Sequence, residues 1–334
     1  MNTRFVIFGN KWDLALYSFA DIIGLPNVTY IKDARDLLST FVYKIFHFHC
    51  SGRLYQIVNI PFKRIWSPIL LRDINIEGEG TVFIFFTRWI GLNKEIGMID
   101  YIRRKNPSAK FVWFLQDIYS HNKENDPINA LDEAQSLFDL IISFDPGDCE
   151  KYGFVYHPLV MSQFRGETGN LPPTDIYFLG RAKNRLDDIL LSYRILREKG
   201  LKCDFHITDV PESKKIKADD IFYEPLSYLE NLQHIKSTKC LLELMQQGGV
   251  GYTQRGCEAV VMDKMLLTNN QDIKNAPFYN GNFIKIINNP NDIDEEVIES
   301  IRQANGKNDY KYKEKLSPIE FLEFIEKKLL YSRL

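Results

Sequence analysis

"DIYFLGRAKNRLDDILLSYRILREKG" spans residues 175–200, and its reading decides the fold. A short apolar run leads to a turn at Gly180. Leu186, Ile189, Leu190, Tyr193 and Leu196 then recur at helical spacing. The run is continuously apolar rather than alternating, as a parallel strand covered on both faces requires. Strand, turn and amphipathic helix together make the first half of a βαβ unit. Gly200 stands where a helix C-terminal cap belongs.

Outward from this stretch the pattern repeats. "RFVIFG" (4–9), "TVFIFF" (81–86), "KFVWFL" (110–115) and "LIISF" (140–144) read as buried strands of a first half. "CDFHIT" (203–208), "KCLLEL" (239–244) and "KMLLTN" (264–269) join residues 175–180 in a second half. "SYLE" at 227–230 has capping-box spacing, followed by Leu229, Leu232 and Ile235. "SPIE" at 317–320 repeats it, with Pro318 at the first helical position of a final helix. The fold class expected is α/β, with two α/β units. The break is expected in "GETGNLPPT" (166–174), giving domains 1–168 and 172–316 and a last helix at 317–334. One large doubly wound sheet is the alternative.

At 334 residues, two domains are the natural prior. A net charge of −2 argues against a protein that coats nucleic acid, so no nucleic-acid partner is expected. The five cysteines are scattered, with no CxxC pair, which suggests neither a disulfide framework nor a zinc site. "FVIFGN" begins a strand at once, so no signal peptide is expected, and no apolar run nears the ~20 residues of a membrane span. A cytoplasmic protein is expected. Residues 41–71 are rich in aromatics and carry Arg53, Lys63 and Arg64, with Arg72 beyond. That composition fits peripheral contact with the inner face of the membrane and an anionic, lipid-linked acceptor; a core segment with a few exposed cations is the plainer alternative.

Gly180 lets backbone approach a ligand, and Arg181, Lys183 and Arg185 follow it within five residues, a pattern suited to a diphosphate. A solvated turn explains the same residues. "QQGGVGYT" adds glycines at 248, 249 and 251, then Tyr252 and Thr253, the expected N-cap of a helix "QRGCEAVVMD". Arg255 falls in that helix's first turn, where a cation opposes the helix dipole unless an anion lies nearby. Glu258, one turn on, is suited to accept from two vicinal hydroxyls. The alternative is a turn in which Glu258 merely stabilises its own helix.

These segments, with "SFDPGDCEKYGFVYHPL", resemble a group of bacterial glycosyltransferases of surface-polysaccharide and lipopolysaccharide core biosynthesis. The resemblance covers residues 140–270 well and the first 100 residues loosely; Gly-Tyr-Thr-x-Arg-x-x-Glu-Ala is its most specific part. It implies a GT-B fold: two Rossmann-like domains facing a central cleft, acceptor on the first, nucleotide on the second, and a last helix crossing back to the first. It further implies that Arg181 and Arg255 neutralise the diphosphate, that Glu258 holds the ribose, and that Tyr223, Pro225 and Tyr228 lie beside the base. Many such enzymes carry two glutamates eight positions apart, whereas Val250 stands at the first position here, which bears on recognition of the sugar.

Other chemistries lack their motifs. Gly9 stands alone in "FGNKWDL", without the G-x-G-x-x-G of a dinucleotide site, and there is no P-loop or G-x-S-x-G. The one Asp-x-Asp, Asp292-Ile293-Asp294, is better read as complementing a helix N-terminus. No metal and no cofactor beyond the nucleotide-sugar donor are expected, since arginines and helix ends can carry the charge. For a general base, Asp13 after the first strand is the first choice and Asp117 after "KFVWFL" the second, though either can be a helix cap. His47, His49 and His157 rank lower; "HFH" reads as a strand placing both rings on one face. The function expected is metal-independent transfer of a sugar from a nucleoside-diphosphate sugar to a saccharide or lipid-linked saccharide. A sugar-nucleotide epimerase or hydrolase, or an inactive binding protein, are the alternatives.

Overall fold

A computed structural model describes residues 3–51, 60–119, 135–245, 252–306 and 308–331. The chain divides into two compact units, Met1–Leu159 with Pro318–Leu334, and Val160–Ser317.

The first unit contains β1 (Arg4–Phe8), α1 (Asp13–Ser18), β2 (Val28–Ile31), α2 (Thr40–His49), α3 (Trp66–Leu70), β3 (Thr81–Phe86) and α4 (Thr87–Ile96). There follow α5 (Met98–Lys105), β4 (Lys110–Phe114), β5 (Leu140–Ser143), α6 (Pro146–Tyr152) and β6 (Val155–Tyr156). Its parallel sheet has the order β2-β1-β3-β4-β5-β6. Every residue of β3 is buried, and Phe8 stacks on Phe85 at 4.7 Å between ring centres. The last helix, Pro318–Tyr331, belongs to this core although its sequence follows the second unit. Its Phe321 is fully buried against Phe114 at 4.7 Å and Phe19 at 6.1 Å. Burying one such ring is worth roughly 1.5–3 kcal/mol.

The second unit contains β7 (Thr174–Arg181), α7 (Leu186–Glu198), β8 (Cys203–Thr208), β9 (Ile221–Phe222), α8 (Tyr228–Ser237) and β10 (Thr238–Glu243). It continues with α9 (Gln254–Val261), β11 (Met265–Thr268), β12 (Ile284–Ile286), α10 (Glu295–Gln303) and α11 (Lys313–Leu316). The sheet order is β12-β11-β10-β7-β8-β9. Counted from its own first strand, this is the dinucleotide-fold order, with connections diverging between β7 and β10. Two α/β sheets are therefore present rather than one large one.

The strands expected from sequence match the observed ones to within a residue or two. Four strands were not expected: β2, β6, β9 and β12. All four are sheet edges, short and only partly buried, so their apolar signal is weak. One expectation is overturned. "HFH" lies at the end of α2, not on a strand, so His47 and His49 sit roughly 200° apart around the helix. Ser39 caps this helix by accepting from the Val42 N–H, and tertiary packing of Phe46 overrides the strand preference of its aromatics.

Candidate functional site

Ligands of open α/β sheets bind outside the carboxyl ends of the strands where the connections diverge. In the second unit that place lies at the ends of β7 and β10. Strand β7 ends in Gly180 and Arg181, and β10 ends in Glu243. Arg181 is exposed and only loosely paired with Asp209, its Nε 3.5 Å from the carboxylate. Lys183 is exposed in the next turn. Arg185 folds back instead: its guanidinium donates to the carbonyls of Leu244 and, at 3.3 Å, Arg181, and lies over Phe178. Burial lowers its pKa. The absent side chain of Gly180 makes room for it, since a Cβ there would lie 2.8 Å from Arg185 Nη2 and 3.1 Å from Phe178. The three cations thus split into two that face solvent and one that binds β7 to β10.

Thr253 caps α9, accepting from the Gly256 N–H at 3.3 Å, while its hydroxyl donates to Glu243. Thr268 donates to the other Glu243 oxygen at 2.5 Å. Burial raises the pKa of Glu243 despite these donors. Tyr252 packs edge-on to Phe278 at 5.3 Å. Gly251, with Gly248 and Gly249, lies outside the described residues.

Arg255 and Glu258 face one another. The anion that Arg255 needs in the first helical turn is supplied within the helix, its Nη1 being 2.6 Å from Glu258 Oε2. Its Nη2 donates to the Leu179 carbonyl at 3.3 Å, and the guanidinium lies over the Tyr177 ring. Burial opposes its charge, but Glu258 together with Tyr177, Tyr228 and Glu243 outweighs that and raises its pKa. Glu258 is only 2% exposed. Its Oε1 accepts from Tyr228 at 3.0 Å, Asn231 at 3.1 Å and Gln254 at 3.1 Å. Burial, then the Glu258 charge, pushes the Tyr228 phenol well up. Tyr177 donates to Asn231 at 3.0 Å and closes the network.

Tyr223 stands apart from this network. Its hydroxyl accepts from the Ile216 N–H at 2.8 Å and donates to the Ile216 carbonyl at 3.0 Å. With Ile216, Phe222 and Leu226 it lines a groove of about 640 Å³. A cluster that sequence reasoning missed adjoins it. Asp204 Oδ1 lies 2.9 Å from His206 Nε2, and Oδ2 lies 2.6 Å from His234 Nδ1. Burial would raise the Asp204 pKa, but both imidazoles hold it below the usual carboxylate range. Asp204 and His206 alternate on β8 and so share a face, a signal legible in "CDFHIT". His234 stacks on Tyr177 at 5.4 Å, which joins the cluster to the Arg255 network.

In the first unit the sheet diverges between β1 and β3. Asp13 is exposed at the first position of α1, just beyond β1. Asp117 is exposed in a bend after β4. Gly9, at the end of β1, lies under Tyr30: a Cβ there would be 2.3 Å from the phenol ring. His157 is buried, its Nε2 3.2 Å from Glu320 of the last helix. Asp294 caps α10, accepting from the Val297 N–H at 3.0 Å, so the Asp-x-Asp triplet serves a helix end.

No protein-family model matches the sequence, and no curated protein matches it. Among solved structures, the chain is similar to an alpha-glucosyltransferase in complex with UDP-glucose and DNA containing an abasic site. The TM-score is 0.52 at 12% identity, over 94% of this chain and 93% of that one. The fold is of the GT-B type. A second similar structure is the alpha,alpha-trehalose 6-phosphate synthase from Burkholderia multivorans, with a TM-score of 0.50 at 9% identity over 99% and 97% of the chains. At these identities the likeness is one of fold.

Proposed function

We propose that the protein is a glycosyltransferase moving a sugar from a nucleoside-diphosphate sugar to a surface glycan or lipid-linked saccharide. The observation that carries this reading is the exposed pair Arg181 and Lys183 directly after Gly180, where β7 borders the divergence of the sheet. A departing diphosphate gathers negative charge, and fixed cations stabilise it without a divalent metal. Arg181 and Lys183 meet the phosphates. Arg185 and Arg255 hold the surrounding backbone, and Arg255 carries little net field because Glu258 balances it. Glu258 reaches a ribose only by exchanging a present donor, such as the half-buried Gln254 or Tyr228. Tyr223, Tyr228 and the groove beside them border the base. Asp13 is proposed to take the proton of the acceptor hydroxyl, with Asp117 as the second candidate.

The test is release of nucleoside diphosphate from UDP-, GDP-, CDP- and TDP-sugars in the presence of EDTA. One donor is expected to be consumed, with a loss of about 10²-fold or more in Arg181→Ala/Lys183→Ala. Consumption of none, or full activity in the double variant, would overturn the reading.

A further inference from the structure

Helix α2 and the segment 60–72 turn an unusual face to solvent. On α2, Phe41, Ile45 and Phe48 recur at helical spacing and are 73%, 46% and 60% exposed. On the second segment Phe62, Ile65 and Ile69 do the same, at 79%, 51% and 38%. The two are tied together. His49 Nε2 donates to the Pro61 carbonyl at 2.8 Å, Trp66 Nε1 donates to His49 Nδ1 at 3.0 Å, and Phe46 meets Trp66 edge-on at 5.2 Å. One side of each element is therefore anchored in the core of the first unit, and the other side of each carries exposed apolar side chains. Apolar rings in this number are not left in water without a partner.

The charges say which partner. Residues 39–51 and 60–72 hold no Asp or Glu; of their cations Lys63 is buried against Glu95, Arg64 faces Asp100 and Arg72 pairs with Asp73, which leaves Lys44. Lys44 sits between Phe41 and Phe48 on the exposed face, and no carboxylate pairs with it among the described residues. Arg35, stacked on Tyr43 at 5.0 Å, is likewise without a carboxylate there. Arg35, Lys44, Tyr43 and His47 line a groove of about 630 Å³ beside the apolar face. Helix α2 itself holds no acid for a partner of mixed charge to meet. A sheet of anionic headgroups over hydrocarbon would satisfy both the rings and the cations.

We propose that this face docks the first unit on an anionic lipid bilayer. Phe41, Ile45, Phe48, Phe62 and Ile65 enter the headgroup boundary, and Lys44 and Arg35 meet lipid phosphates. The proposal deepens the reading above by placing the protein where a lipid-linked acceptor is held. Its test uses no sugar nucleotide, so the two fail separately.

The full chain is sedimented with vesicles of phosphatidylglycerol and phosphatidylcholine, or of phosphatidylcholine alone, at low and at 0.5 M salt. Binding to the anionic vesicles is expected, weaker by about tenfold on neutral ones and weakened by salt. Phe41→Glu/Phe48→Glu and Lys44→Glu are each expected to lower it by about tenfold or more at unchanged Tm, since these side chains are exposed. Absence of binding to anionic vesicles at low salt, or binding indifferent to these substitutions, overturns the proposal. So does a wild-type dimer that Phe48→Glu splits, which would assign the face to a second copy of the chain.

Discussion

Glu258→Gln isolates what the Arg255 network contributes. Glu258 is almost fully buried, and its Oε2 is the only carboxylate oxygen on the Arg255 guanidinium among the described residues. Glutamine keeps an acceptor for Tyr228 and Asn231 but leaves the arginine charge uncompensated in a site where burial already opposes it. Breaking a buried pair from one side costs about 3–5 kcal/mol, and the retained acceptor places this variant near the lower end. At roughly 2–4 °C per kcal/mol for a unit of this size, the melting temperature should fall by about 6–12 °C. The assay is thermal and urea unfolding followed by circular dichroism. Arg255→Met/Glu258→Gln should be more stable than Glu258→Gln alone, because it removes the stranded charge. A single variant within about 1 kcal/mol of wild type would refute the reasoning, as would a double variant as poor as the sum of its parts.

Other consequences follow from single contacts. Gly180→Ala drives a methyl into Arg185 and Phe178, so the Arg185–Leu244 tie should break, with a loss of about 1–3 kcal/mol in unfolding assays and weaker nucleotide binding in titration calorimetry; an unchanged melt counts against the tie. Asp13→Asn should reduce transfer by about 10²–10⁴-fold while leaving nucleotide affinity unchanged; near-normal turnover moves the role of base to Asp117. Asp33 lies 2.8 Å from Lys11 and 2.9 Å from Arg88, which with the Arg35 N–H outweigh burial and lower its pKa from 3.8 to about 2. Its contribution to stability is then present above about pH 4 and lost as pH falls towards the folded value, so Asp33→Asn should flatten the unfolding free energy against pH in that window.

The interior strands were legible because a parallel strand buried on both faces must be apolar throughout, as "TVFIFF" is. The edge strands β2, β6, β9 and β12 were not, since a strand paired on one side needs no such run. Capping chemistry was as readable: Ser227 with Glu230, and Thr253 at the start of α9, stand where the spacing put them. At the candidate site the residue types were visible but their division of labour was not. Arg181 and Arg255 look alike in sequence, yet one faces solvent and the other lies among Tyr177, Asn231 and Glu258. That difference depends on α8 supplying Tyr228 and Asn231 from far along the chain. The Asp204–His206–His234 cluster was hidden for the same reason: two members share a strand, and the third comes from a helix that only folding brings near.

The most direct test of the central claim is thermal-shift binding of UDP, GDP, CDP and TDP in EDTA to wild type and to Arg181→Ala. A nucleoside diphosphate at 100 times its Kd should stabilise the protein by about 2.7 kcal/mol, or about 5–10 °C. One diphosphate is expected to give this shift without metal and to lose most of it in Arg181→Ala, whose basal melt is unchanged because the side chain is exposed. No shift with any of the four at millimolar concentration, or an equal shift in the variant, would contradict it.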